Sequence, residues 1–176
     1  MNDIGTAFLH VSSNYLSAEF LPRIKGAIER LPEEDLWWRP NEASNSVGNL
    51  VLHLTGNIRQ WIVSGVGGAP DVRRRQEEFE HRVAVPRQEL VEGLERAVAD
   101  ACAVLAVLPL SRLGENVTVQ GRSVSAFEAV YHAVEHFSMH TGQIIYVAKL
   151  RTSEDLGFYE LVDGVPRARW PGQTRG

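Results

Sequence analysis

At 176 residues, with 44% hydrophobic and 23% charged side chains, the chain has the size and make-up of one soluble globular domain, not of a disordered segment. Its net charge of −4 gives no broad attraction to nucleic-acid phosphates or anionic lipid. The longest apolar runs fall short of the ~20 residues a membrane span needs. The single cysteine, Cys102, excludes an intrachain disulfide. The opening MNDIGTAFLH lacks the basic and apolar regions of a secretory signal, so a cytoplasmic protein is expected.

The first predicted helix runs from about Asp3 to Arg30. Phe8, Val11, Tyr15, Leu16, Phe20, Ile24 and Ile28 recur at steps of three and four, giving one apolar stripe. Leu31-Pro32 ends it, because the residue before a proline avoids the α region. The second helix starts near Ser46, with Ser44, Asn45 and Ser46 each able to cap it. Val47, Leu50, Val51, Leu54, Ile58, Trp61 and Ile62 form its inner face, and Gly65, Gly67 and Gly68 stop it. Residues 67–85 are charged and irregular, and read as a long connection with at most a short helical turn. Connections of that length often serve as lids or coverings. Within it, Arg73-Arg74-Arg75 reads most simply as solvated.

Pro86 opens the third helix, which carries Leu90, Leu94, Val98, Cys102 and Leu105 and ends before Pro109. Cys102 falls on its apolar side and reads as an inert core thiol. Val117 to Gln120 is a short extended piece before a turn at Gly121-Arg122, and so a lone strand or a hairpin. The fourth helix starts after Ser123 or Ser125 and runs to about Arg151. Ser125 with Glu128 matches a capping box. Residues 155–176 read as an irregular tail packed on the bundle. The whole is expected to be one all-α domain, an antiparallel four-helix bundle with long connections and a short extended segment before the last helix.

The chemistry concentrates in the histidines. His132, His136 and His140 are spaced by four and share one stripe of the fourth helix. Imidazoles one turn apart can meet at one metal ion. Residues 132 and 140 are ~12 Å apart along a helix axis, whereas metal–nitrogen bonds are ~2.0–2.1 Å. One ion therefore takes His136 with one neighbour, and a further ligand comes from another helix. His53, set in the apolar run NLVLHLTGN of the second helix, is the natural candidate, since a buried neutral imidazole needs a partner. Taken alone, such a residue is more often a hydrogen-bonded core histidine. Three histidine ligands leave a position open, as in catalytic zinc sites.

The run HAVEHFSMHTGQIIYVAKL, with His136 and His140 followed by Gly142-Gln143-Ile144, resembles the closing motif of the DinB-like (YfiT-like) superfamily of metal-binding bundles. NLVLHLTGNIRQW, with His53 and Trp61, is similar to the first metal-binding segment of that superfamily. The resemblance implies a four-helix bundle whose ligands carry over onto His53, His136 and His140, holding zinc, nickel or a similar ion. His132 departs from that set and is assigned to packing or to support of the site. The resemblance further implies a thiol-dependent transferase or isomerase using a low-molecular-weight thiol such as bacillithiol or mycothiol, acting on a small-molecule substrate, and a homodimer.

On that reading the ion acidifies a thiol, which attacks a small electrophile. Asn57, Trp61 and Gln143 are the pocket or supporting candidates: Asn57 to orient a ligand, Trp61 to wall a pocket, Gln143 to hold a ring. Hydrogen bonding within the core competes for Asn57, and aromatic packing for Trp61. Glu128 shares the histidine stripe, but its cap role is favoured. An HExxH protease is excluded because Phe137 follows His136. A di-iron carboxylate site is excluded because Glu78 to His81, in the connection, is the one Glu-x-x-His spacing found. A hydrolase-like enzyme and a non-catalytic metal- or ligand-binding bundle with a stress-related role stay open.

Overall fold

The computed structural model describes residues 3–170. Residues 4–30 form helix α1, α-helical over Ile4–Asn14 and Leu21–Arg30 and π-helical over Tyr15–Phe20 between them. Asp3 caps it by accepting from the Gly5 N–H, and Leu31, ahead of Pro32, turns extended to end it. A 3₁₀ turn at Glu34–Trp37 follows. Residues 47–66 form α2, α-helical over Val47–Ile58 and π-helical over Arg59–Val66. Of its three cap candidates, Ser46 does the work: its hydroxyl accepts from the Asn49 N–H while the Asn49 amide oxygen accepts from the Ser46 N–H.

The charged connection contains a short helix, α3 (Arg75–Glu80). Helix α4 spans Arg87–Val107 and α5 spans Ala126–Thr152. Ser125 and Glu128 form the expected capping box on α5, which uses the Glu128 carboxylate at the helix start, away from the imidazoles. The four long helices pack in a ring, α1 on α5, α5 on α2, α2 on α4 and α4 on α1. Leu16, Ile24, Ile28, Leu54, Ile58, Leu94, Phe137 and Ile144 are fully enclosed between them. Each such side chain contributes roughly 1.5–3 kcal/mol of burial energy. Cys102 is half-buried, its thiol 3.8 Å from the Ser13 carbonyl.

Two small antiparallel sheets add to the all-α expectation. Strands β1 (Asn116–Val119) and β2 (Arg122–Ser125) form a hairpin ahead of α5. The tail forms a second hairpin, β3 (Tyr159–Val162) with β4 (Val165–Ala168), where irregular coil was expected. Its turn is Asp163-Gly164, both at positive φ, the pairing that closes a two-residue hairpin. The tail does pack on the bundle, since the buried Trp170 donates from Nε1 to the Ala18 carbonyl at 3.0 Å. The last six residues of the expected tail lie outside the described residues. Among the described residues no helix is long and apolar enough to cross a membrane.

Candidate metal centre

Helix α2 turns its apolar face inward, and that places His53 and Asn57 inside with Leu50, Leu54 and Ile58. Helix α5 faces it across the core and brings His136 and His140 to the same level. His53 Nε2 lies 2.7 Å from His136 Nε2, which lies 3.1 Å from His140 Nε2. One donor atom from each of the three falls within 4.8 Å of the others. His53 and His140 are buried, with 3% and 8% of their surface exposed, so neither can rely on water for partners.

The outer nitrogens fix the tautomers. His53 Nδ1 lies 2.9 Å from Glu78 Oε2. Glu78 is clamped by Arg73, whose Nε and Nη2 each donate at 2.7 Å to its two oxygens. A carboxylate only accepts, so His53 donates from Nδ1 and points an Nε2 lone pair inward. Likewise His140 Nδ1 donates to Gln143 Oε1 at 2.6 Å, leaving its Nε2 lone pair inward. His136 can offer one hydrogen at Nε2, to one of these two neighbours. Lone pairs therefore meet without enough hydrogens between them, an arrangement that a cation relieves. Tetrahedral binding at ~2.05 Å sets ligand nitrogens ~3.3 Å apart, close to the 3.1 Å between His136 and His140 and wider than the 2.7 Å between His53 and His136, so an ion would spread the rings slightly. The three imidazoles could hold a divalent metal ion.

The electrostatics keep His136 and His140 neutral. Burial, then repulsion from His140, His53, His132 and Arg73, lowers the His136 pKa to about 3. Burial also lowers His140, against the opposing pull of its Gln143 bond. Burial works to raise the Glu78 pKa, but the hydrogen bonds from Arg73 and His53 outweigh it and hold the carboxyl below its usual range. Neutral imidazole is the form that binds metal.

The remaining expected residues gather beside the cluster. His132 stands outside the trio, stacked on His136 with ring centroids 5.2 Å apart, and burial lowers its pKa. Trp61 lies over His132 at 4.0 Å and is buried. The Asn57 amide approaches His132 Nε2 at 3.4 Å. Asn57 Oδ1 and Trp61 Nε1 are buried without a hydrogen-bond partner among the described residues, so both remain available to a ligand. Gln143 meets His140 Nδ1 through its amide oxygen.

Arg73 and Glu78 were not anticipated. Arg73 is no solvated residue: its side chain is 3% exposed and Glu78's is 11%. Glu78 sits on α3, which covers α2, and the nearest signal in the sequence was the lid-like length of residues 67–85. A cavity of about 470 Å³ between α2 and this connection is lined by Leu52, Gly56, Gln60 and Val63 and by Arg73 and Glu78, but by none of the three histidines. It borders the ion pair behind His53.

The family model described as "Protein of unknown function (DUF1572)" matches residues 3–164. The chain belongs to the DUF1572 family. That family is DinB-like, so the resemblance read from the histidine motifs holds. A crystal structure of a conserved protein from Enterococcus faecalis is similar to this DUF1572 chain with a TM-score of 0.67 and 18% identity, covering 82% of this chain and 97% of that one. A DinB-like protein, YjoA, from Bacillus subtilis is similar with a TM-score of 0.58 and 20% identity, covering 80% and 91%. At these identities the likeness speaks for the fold. Comparison with curated proteins gives no match.

Proposed function

We propose that this DUF1572 protein binds one divalent cation, zinc or nickel, through His53, His136 and His140, and is a metal-dependent enzyme of the thiol-transferase type acting on small electrophiles. The observation that carries the reading is the meeting of three imidazole Nε2 atoms with too few hydrogens to share. Three histidine ligands leave at least one position for a substrate or water. When bound, the ion supplies Lewis acidity that converts a low-molecular-weight thiol to thiolate at neutral pH. His53 and His140 are held for metal binding by Glu78 and Gln143. Asn57 Oδ1 and Trp61 Nε1 offer one acceptor and one donor to orient a small molecule beside His132. The reading includes a cytoplasmic setting, where such thiols abound, and a homodimer. Exposed Tyr15, Tyr131 and Met139 line one groove of α1 and α5 and offer apolar surface for the second copy.

A non-catalytic metal- or ligand-binding bundle is the second reading. It is favoured by one observation, that the 470 Å³ cavity meets none of the three histidines. The test is to strip the protein with chelator, reload it with zinc or nickel, and assay bacillithiol, mycothiol and glutathione with a chlorodinitrobenzene electrophile. Thiol consumption that returns with metal supports the enzyme. Full metal loading with no turnover on any thiol supports the second reading.

A further inference from the structure

We propose that Glu78 is a positioning residue that sets the His53 tautomer for metal binding, and that it does so by clasping residues 67–85 onto α2. The proposal deepens the metal reading above and rests on it.

Three observations converge. The clasp is built from several anchors besides Glu78: Asn49 Nδ2 donates to the Glu78 and His81 carbonyls at 2.8 and 3.1 Å, and Trp37 Nε1 donates to the Val85 carbonyl at 3.3 Å. The Phe79 ring packs on His53 with centroids 4.6 Å apart. Second, Gly56 stands inside α2, where glycine is less favourable than alanine. A Cβ there would overlap Glu78 Oε1 and crowd Arg73 Nε, so any larger residue would force the carboxylate to shift from its present place. Third, a buried ion pair such as Arg73–Glu78 gains little net stability over apolar packing. Its distinct product is the Nδ1–H donation of His53.

Arg73 explains why the charge matters. Its Nη2 lies 3.1 Å from His53 Nδ1 as well as 2.7 Å from Glu78 Oε2. With Glu78 ionised, the guanidinium hydrogen goes to the carboxylate and His53 keeps its proton at Nδ1. Without that charge Arg73 donates to Nδ1 instead. The ring proton then moves to Nε2 and removes the lone pair aimed at His136. Outer carboxylates that orient a ligand histidine typically change metal affinity 10–100-fold.

The experiment uses the full chain with E78Q, G56A and, as control, E80Q, which alters an exposed carboxylate of the same helix. Long-range ¹⁵N–¹H spectra of the metal-free protein report the His53 tautomer, and chelator competition with zinc alone reports affinity. E78Q is expected to move the His53 proton from Nδ1 to Nε2 and to weaken zinc 10–100-fold. G56A is expected to do the same without deleting a charge, and it serves should E78Q fold poorly. E80Q behaves as wild type. An unchanged His53 tautomer, or wild-type zinc affinity in E78Q and G56A, overturns the proposal. A wild-type protein that takes no zinc overturns the metal reading instead, a distinct result because the metal-free spectrum still reports whether Glu78 sets the tautomer.

Discussion

Acidifying the metal-free protein isolates the cost of crowding imidazoles in the core. His136 is neutral in the folded state down to about pH 3, held there by burial and by its three histidine neighbours. Unfolded, it protonates near its ordinary value of about 6.5. Between about pH 6.5 and 3 the unfolded chain therefore binds one more proton than the native state at this residue, so stability falls as pH falls through that window. One proton gives a slope of at most about 1.4 kcal/mol per pH unit, and His136 keeps enough water contact to lower it. His132 and His140, also shifted down, add to the slope in the same direction. Glu78, with its pKa lowered, contributes stability above its ordinary range that is lost at lower pH still. Urea denaturation in chelator at pH 7, 6 and 5 measures the slope. At ~2 kcal/mol per molar urea, one proton shifts the midpoint by up to about 0.7 M between pH 6 and 5. H136L, which deletes the titrating ring, is expected to flatten the dependence by up to that amount. Equal slopes in wild type and H136L would refute the assignment of a half-buried, neutral His136.

Two other substitutions separate site from scaffold. Q143A removes the acceptor for His140 Nδ1 and is expected to weaken zinc about tenfold, with little change in the unfolding midpoint of the metal-free protein; chelator competition and urea titration check the two halves. R151A deletes the donor of two bonds to Asp35, a carboxylate buried except for 7% of its surface, and the contact over Trp38. It is expected to cost about 1–3 kcal/mol of stability while zinc affinity stays at the wild-type level.

Local signals in the sequence reached the helices and half of the candidate site. The stripe of His136 and His140 is a spacing within one helix, and His53 stands out as a polar residue in an apolar run. Ser46 and Ser125 carry their capping chemistry within three residues. What stayed hidden depends on contacts between distant segments. Glu78 lies 25 residues from His53 and on a helix too short to show periodicity. Arg73 sits in a run of three arginines, and nothing in Arg73-Arg74-Arg75 tells which one turns inward. The reason for Gly56 exists only once the carboxylate is seen against it. The second hairpin is a different case: Asp163-Gly164 is a legible turn, but its four-residue strands, one holding Pro166, give little alternation to support it. The tautomers of His53 and His140 follow from partners, and Gln143, three residues from His140, was the partner a helical reading could reach.

The most direct measurement is metal analysis of the purified protein beside its H53A variant. If imidazoles from α2 and α5 share one cation, the wild-type chain carries close to one zinc or nickel ion and H53A carries none after the same dialysis. Full metal retained in H53A, with its helical content intact, would contradict the assignment of α2 to the site.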